Sequence, residues 1–253
     1  MNYSDLQFDL QQAQEYLNIL EPGGKFTFQT FPDNARKRTP NLTRILHGNL
    51  EEHFEVLSNL NRQGAGVFVA VNRTDLLGRT KTNVIGVRAV FVDLDGAPIK
   101  PVIECPHEPH LIVESSSGRW HAFWLVDKDF YKDQFTAFQT TLARTFNGDA
   151  QVKDLPRVMR LPGFYHNKLD KNGTVKEPFM TKIEQKVDLP HYSLKSLMSA
   201  FPPIVHKQRD STPDAKSKKS HSSDDVEKAL NYLDPSDRDL WIRTGLSLKS
   251  CGV

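Results

Sequence analysis

The segment Val90-Phe91-Val92-Asp93-Leu94-Asp95-Gly96 constrains this chain more than any other. It reads as the end of a strand over 84–94. Residues two apart on a strand share a face, so Asp93 and Asp95 are expected to point the same way, with Val92 and Leu94 toward the core. Two carboxylates so placed repel each other and resist burial unless a cation lies between them. A hard divalent ion such as Mg²⁺, held by the pair and completed by substrate phosphates, meets that need. A strand ending in a solvated Asp-Gly turn accounts for the same residues, and the pair alone leaves the two readings even.

Apolar spacing supplies the frame around this strand. Leu6, Leu10, Ala13, Leu17 and Leu20 predict an amphipathic helix over 5–20, stopped by Pro22-Gly23-Gly24. Strands are expected over 25–31, 66–71, 109–114, 120–126 and 157–161. Helices are expected over 49–60, with Asn49 as cap, and over 131–146, where Phe135, Phe138, Leu142 and Phe146 form a stripe. Strands and helices alternate without regular βαβ units or Gly-rich turns. The expected fold class is therefore α+β, with a mixed or mostly antiparallel sheet flanked by helices.

The organisation changes near residue 205. Residues 1–204 are expected to form the main domain. Residues 205–223 are rich in Ser and Lys, almost without apolar side chains, and read as a flexible linker. Residues 224–253 carry Leu230, Leu233, Trp241, Leu246 and Leu248 and read as the start of a small helical domain. The chain ends just past its second helix and is expected to continue in a longer protein.

Two further segments carry chemistry. Ser115-Ser116-Ser117-Gly118-Arg119 reads as a Ser/Gly loop between strands, able to offer N–H groups and hydroxyls to a phosphate. His121 follows at the start of a strand, on the face of Phe123 and opposite Trp120 and Trp124. A lone strand histidine is more often a satisfied polar residue than a catalytic one, and the preceding loop is what raises its standing. Downstream, Arg157 and Arg160 stand near Gly148-Asp149 and Asp154. Guanidinium groups bind phosphate bidentately and offset charge in phosphoryl transfer, although a structural salt-bridge cluster uses the same residues.

Composition excludes little. The formal net charge of +2 over 253 residues neither demands nor forbids nucleic acid, because a local basic groove can sit inside a balanced total. Arg73, Arg79 and Lys81 in the loop before Asp93 are candidates for backbone contacts, or simply a solvated basic loop. The two cysteines, Cys105 and Cys251, have no C-x-x-C spacing, which argues against a zinc site and fits a reducing, cytoplasmic compartment. The N-terminus lacks a signal-peptide pattern, and no apolar run approaches the roughly 20 residues that span a bilayer.

Together these segments resemble the archaeo-eukaryotic primase (primase-polymerase) superfamily, in the RepB-like branch of plasmids and phages. FVDLDG is similar to its motif I, SSSGRWHAFW to its motif II, and GDAQVKDLPRVMRLPGFYHNK to the motif III region. The likeness covers roughly residues 25–185. The tail ALNYLDPSDRDLWIRTGLSLKSCG is similar to the start of the helical domain that follows such primases. The resemblance implies a primase-polymerase core with an RRM-like catalytic subdomain and two divalent ions, Mg²⁺ or Mn²⁺. It implies Asp93 and Asp95 as metal ligands, with a third carboxylate from Asp149 or Asp154. His121, Arg157 and Arg160 would face nucleotide phosphates, and Lys168 matches a basic position after the Pro-Gly turn. Ser116, Ser117 and Gly118 are weaker phosphate candidates, because the residues before His121 depart from a bare Ser-x-His. The implied partners are a single-stranded DNA template, nucleoside triphosphates and a helicase domain or partner, with no membrane. The implied activity is template-dependent primer synthesis. An origin-binding initiator that keeps the fold without synthesis, and a metal-dependent nuclease, are the rival readings.

Overall fold

The computed structural model describes residues 6–34, 40–167 and 177–202. The chain opens with helix α1, Leu10–Leu20, which starts later than the apolar spacing suggests because Asp9 caps it: its carboxylate accepts the Gln12 N–H at 2.9 Å. Strand β1 (Phe26–Pro32) and strand β2 (Arg44–Gly48) follow, the latter preceded by a single 3₁₀ turn over Pro40–Leu42. Helix α2 (Leu50–Arg62) has Asn49 at its cap position, but the Asn49 side chain donates to Glu52 instead of closing the first turn. Next come β3 (Ala65–Ala70), β4 (Arg73–Thr74), β5 (Val84–Gly86) and β6 (Ala89–Asp93). After a one-turn helix α3 (Lys100–Ile103) come β7 (Leu111–Ser116) and β8 (Arg119–Leu125). Then follow α4 (Lys132–Thr145), β9 (Val158–Arg160), β10 (Tyr165–His166), β11 (Phe179–Met180), β12 (Lys182–Lys186) and α5 (Leu194–Ala200).

Eight of the described strands form two four-stranded sheets, ordered β2-β1-β3-β9 and β12-β7-β8-β6, every neighbouring pair antiparallel, and β4-β5 and β10-β11 form two-stranded ones. The fold is α+β, as its segment pattern predicts. The central strands are almost wholly buried, β1 with Thr27, Gln29 and Thr30 as well as Phe26 and Phe28. Phe123 packs on Tyr16 of α1, while the next residue, Trp124, stacks on Phe146 beyond the end of α4. One core runs from α1 through both sheets to α5.

Three expectations are corrected. The strand over 84–94 is two strands, because β5 pairs with β4 whereas β6 pairs with β8. Ser115 and Ser116 belong to β7, so the turn before β8 is only Ser117-Gly118, with Gly118 at φ +68°. Asp95 lies beyond the end of β6 in a turn, at φ +36°, so a shared strand face is not what sets its direction. The linker over 205–223 and the helical segment over 224–253 lie outside the described residues, as does Lys168.

Arg88 is nearly buried, at 3% side-chain exposure, and its Nε donates to Glu21 Oε2 at 2.6 Å. It also donates to the Lys25 carbonyl at 2.9 Å and lies over the Phe26 ring. Arg73, one of the candidate basic-loop residues, pairs with the same Glu21. Burial pushes the Glu21 carboxyl up, but the hydrogen bonds and charges of Arg73 and Arg88 outweigh it and hold the group below its usual range. A depressed carboxylate stabilises the fold above its unfolded pKa and loses that contribution as pH falls through the folded value. Glu21→Gln leaves a buried guanidinium without its counter-charge and is expected to cost about 2–3 kcal/mol in urea denaturation at pH 7. The difference from wild type should narrow below about pH 4; a constant gap down to pH 3 would argue against the ion pair as its source.

Candidate active site

A cleft of about 250 Å³ opens between the two sheets. Its walls come from Phe68 of β3 and Val158–Arg160 of β9 on one side. Asp93, Asp95, Ser115, Ser116, Arg119 and His121 form the other, and Val152, Arg157 and His166 complete it.

Strand register places the first pair. Asp93 and His121 are direct partners across β6 and β8, so their side chains meet on one face. His121 Nε2 lies 3.8 Å from Asp93 Oδ2, close enough for attraction but too long for a hydrogen bond. Burial pushes the His121 pKa down; Asp93 opposes that, Arg160 adds to it, and Asp95 opposes it again. The net direction keeps the imidazole neutral at neutral pH. Its Nδ1 is buried and has no hydrogen-bond partner among the described residues.

Asp95 is brought beside Asp93 by the turn. Its backbone N–H donates to Asp93 Oδ1 at 3.1 Å, and its own carboxylate contacts Arg119. Asp93 Oδ2 accepts no hydrogen bond among the described residues. The cleft therefore presents two hard carboxylate groups, one carrying an arginine and one with an open oxygen. That donor set fits a hard divalent cation whose remaining ligands are water and phosphate oxygens. Among the described residues, no group of three or more His, Cys, Asp or Glu is arranged to hold a metal ion by itself.

The other candidates divide. Asp149 backs onto Asp93: its N–H donates to the Asp93 carbonyl at 2.8 Å, while its carboxylate accepts the Gln151 N–H at 2.8 Å. Asp154 is held by Arg157, whose Nε donates to it at 2.7 Å. Neither acid lines the cleft. Arg157 does, and also donates to the Gln151 carbonyl. Arg160 does too, fixed by the buried Asp33 at 2.7 Å and lying over the Phe68 ring at 4.7 Å. Ser116 lines the cleft, whereas Ser117 and Gly118 do not, and the Gly118 N–H is taken by Glu114 Oε1 at 3.0 Å. Arg79 donates to Gln29 and to the Pro156 carbonyl, so it braces the loop ahead of β9.

Sequence reasoning gave no role to Arg119, Asp33, Phe68 or His166. His166 sits inside the segment that resembles motif III, and its Nδ1 meets the Ser115 carbonyl at 3.2 Å. Asp33 carries no local signal, since its partner lies 127 residues away.

Comparison with known proteins bears on the family and the fold. The RepB DNA-primase N-terminal domain family matches residues 35–191. The chain belongs to that family. The primase-polymerase domain of cyanophage S-2L has a similar structure: TM-score 0.58 at 16% identity, covering 78% of this chain and 100% of that one. So does the catalytic domain of primase RepB' in complex with initiator DNA, with TM-score 0.51 at 20% identity over 70% of this chain and 84% of that one. At these identities the likeness shows a shared fold, that of a primase-polymerase core. A search of curated proteins finds no match.

Gly148 tests how rigidly the site is assembled. A Cβ at this position would lie 2.5 Å from Val92 Cγ2 and 2.7 Å from the Asp93 carbonyl oxygen. Gly148→Ala must push the loop off β6, and we expect it to cost about 1–3 kcal/mol in urea denaturation. An unchanged midpoint would mean that the loop is not seated on the strand.

Proposed function

We propose that this chain catalyses DNA-dependent nucleotidyl transfer, making primers on single-stranded DNA in plasmid- or phage-type replication. The observation that carries the reading is the pairing of Asp93 with His121 in a cleft whose opposite side holds Arg157 and Arg160. Two acids beside a phosphate-sized opening repel nucleic acid unless cations intervene, so a protein that only binds DNA gains nothing from them. The RepB' relative was solved with initiator DNA, which supports DNA as a partner here. A helicase domain or partner and a cytoplasmic setting belong to the same proposal. No helix among the described residues is long and apolar enough to cross a membrane.

In this reading Asp93 and Asp95 hold divalent ions, Mg²⁺ or Mn²⁺, which supply Lewis-acid activation of the primer 3′-hydroxyl and charge stabilisation at the leaving pyrophosphate. Arg160 presents a guanidinium already fixed by Asp33, so it binds a phosphate oxygen without first being ordered. Arg157 adds a second positive charge. His121, neutral, can donate one hydrogen bond to a phosphate without bringing a charge that would repel the metal. The Ser116 hydroxyl extends the same phosphate contacts, and Lys168 remains a candidate phosphate contact from the motif resemblance alone. These groups position the reactants and stabilise developing charge, which is the main demand of phosphoryl transfer.

Primer synthesis on single-stranded DNA with labelled nucleotides and Mg²⁺ or Mn²⁺ tests the proposal. Asp93→Asn and Asp95→Asn should each lower synthesis at least about a hundredfold while leaving the melting temperature near that of wild type. No product from wild type under either metal would sink the enzyme reading, and DNA binding without synthesis would favour an initiator. Asp149 is the better third acid, because its main chain is anchored on Asp93 while Asp154 is committed to Arg157. Asp149→Asn should therefore lower the maximal rate at saturating nucleotide. Asp154→Asn, which frees Arg157, should act chiefly on nucleotide KM; the opposite pattern would reassign the ligand.

A further inference from the structure

Arg119 opens β8 directly after the Ser117-Gly118 turn, and its Nη1 contacts Asp95 Oδ1. The guanidinium lies over the turn that carries Asp95: a Cβ on Gly96, at φ +104°, would be 3.6 Å from Nη1. Backbone geometry thus presents the Asp95 carboxylate to a cation, and a cation of the protein's own is there. The pair is exposed, at 36% for the arginine and 66% for the aspartate. Arg157 and Asp154 form a second exposed pair, at 31% and 48%, whereas the pair of Arg160, at 13%, with Asp33, at 3%, is buried. An exposed pair of long side chains is worth little and exchanges readily, whereas a buried one is fixed. The cleft is therefore lined by one guanidinium in a buried pair, Arg160, and two in exposed pairs, Arg157 and Arg119, and of these Arg119 is the one that contacts Asp95.

We propose that Arg119 is a built-in counter-cation that occupies Asp95 in the metal-free protein and must be displaced before Asp95 can take a divalent ion. This rests on the reading of Asp93 and Asp95 as metal ligands. Arg119 lets two acids stand together without metal, because its charge offsets their repulsion. It also lowers the affinity for metal, since the incoming ion must compete with a guanidinium for one oxygen and then share the cleft with it. Ionic strength enters directly, because salt weakens an exposed pair.

The test is Mn²⁺ affinity of the full chain, read from the electron paramagnetic resonance signal of free Mn²⁺, without nucleotide or DNA. Arg119→Gln should bind Mn²⁺ about threefold to tenfold more tightly than wild type at low salt. The advantage should shrink as ionic strength rises. Arg119→Lys, which keeps the charge, should stay near wild type. Unchanged or weaker binding in Arg119→Gln overturns the proposal. Equal tightening in Arg119→Lys also overturns it, since packing rather than charge would then be the cause. Asp93→Asn and Asp95→Asn separate the two levels. If both bind Mn²⁺ like wild type, the metal-site reading itself fails; if both lose it while Arg119→Gln is unchanged, only the counter-cation role fails.

Discussion

Among the described residues strand β6 lies at the edge of its sheet, with no strand on the side away from β8. A buried N–H without an acceptor costs about 1–3 kcal/mol, so this edge must be covered. It is covered from α4 and the loop behind it. Gln139, fully buried, accepts the Phe91 N–H at 2.9 Å. Two residues further along the same edge, the Asp93 carbonyl accepts the Asp149 N–H. The arrangement ties the end of α4 to the strand that carries the first acid. Gly148 permits it, because a side chain there would strike β6. The strand that delivers Asp93 is thus held on one side by β8, which brings His121 opposite, and on the other by the loop that carries Asp149.

The second wall is held differently. Arg160 stands on β9, an edge strand of the other sheet, and is fixed by a buried acid on the β1 side. Asp33 accepts from Arg160 and, through its second oxygen, from the Asn167 N–H at 2.8 Å. Gly66 leaves room for the pair, since a Cβ there would fall 2.4 Å from Asp33 Oδ1. Arg157 is oriented by Asp154 and the Gln151 carbonyl. Acids thus stand on one sheet and oriented guanidinium groups on and beside the other, with the cleft between them.

The sequence made some of this legible and hid the rest for physical reasons. Periodicity marks the elements whose burial is one-sided or continuous, such as α2, α4, β3 and β8. It misses β2 and β12, short edge strands with almost no fully buried residue, and α5, whose seven residues bury only Leu197. Asp93 and His121 were legible as chemistry because each follows or begins an apolar strand where a polar group stands out. Their direct opposition depends on the β6–β8 register, which no local pattern encodes. Asp95 was placed beside Asp93 for an inexact reason. The strand ends first, and a left-handed turn does what alternation was expected to do. Asp33 was invisible, since an acid beside a proline reads as a turn until its arginine is known.

The cleft also separates the rival readings of the fold on electrostatic grounds. A binder of single-stranded DNA needs a surface that neutralises phosphates along the strand. A buried neutral histidine facing an acid, with an open carboxylate oxygen beside it, does the opposite at the point where two guanidinium groups converge. Nearby Arg73 and Arg79 are largely committed to bracing the protein, to Glu21 and to the Pro156 carbonyl. What remains in the cleft is a small space with Asp93 and the Arg119-paired Asp95 on one side and Arg157 and Arg160 on the other. A triphosphate accompanied by cations satisfies both at once, whereas a bare phosphate backbone satisfies only the arginines. That difference is why the reading as a polymerase site rests on Asp93 and Asp95 more than on any basic residue around them.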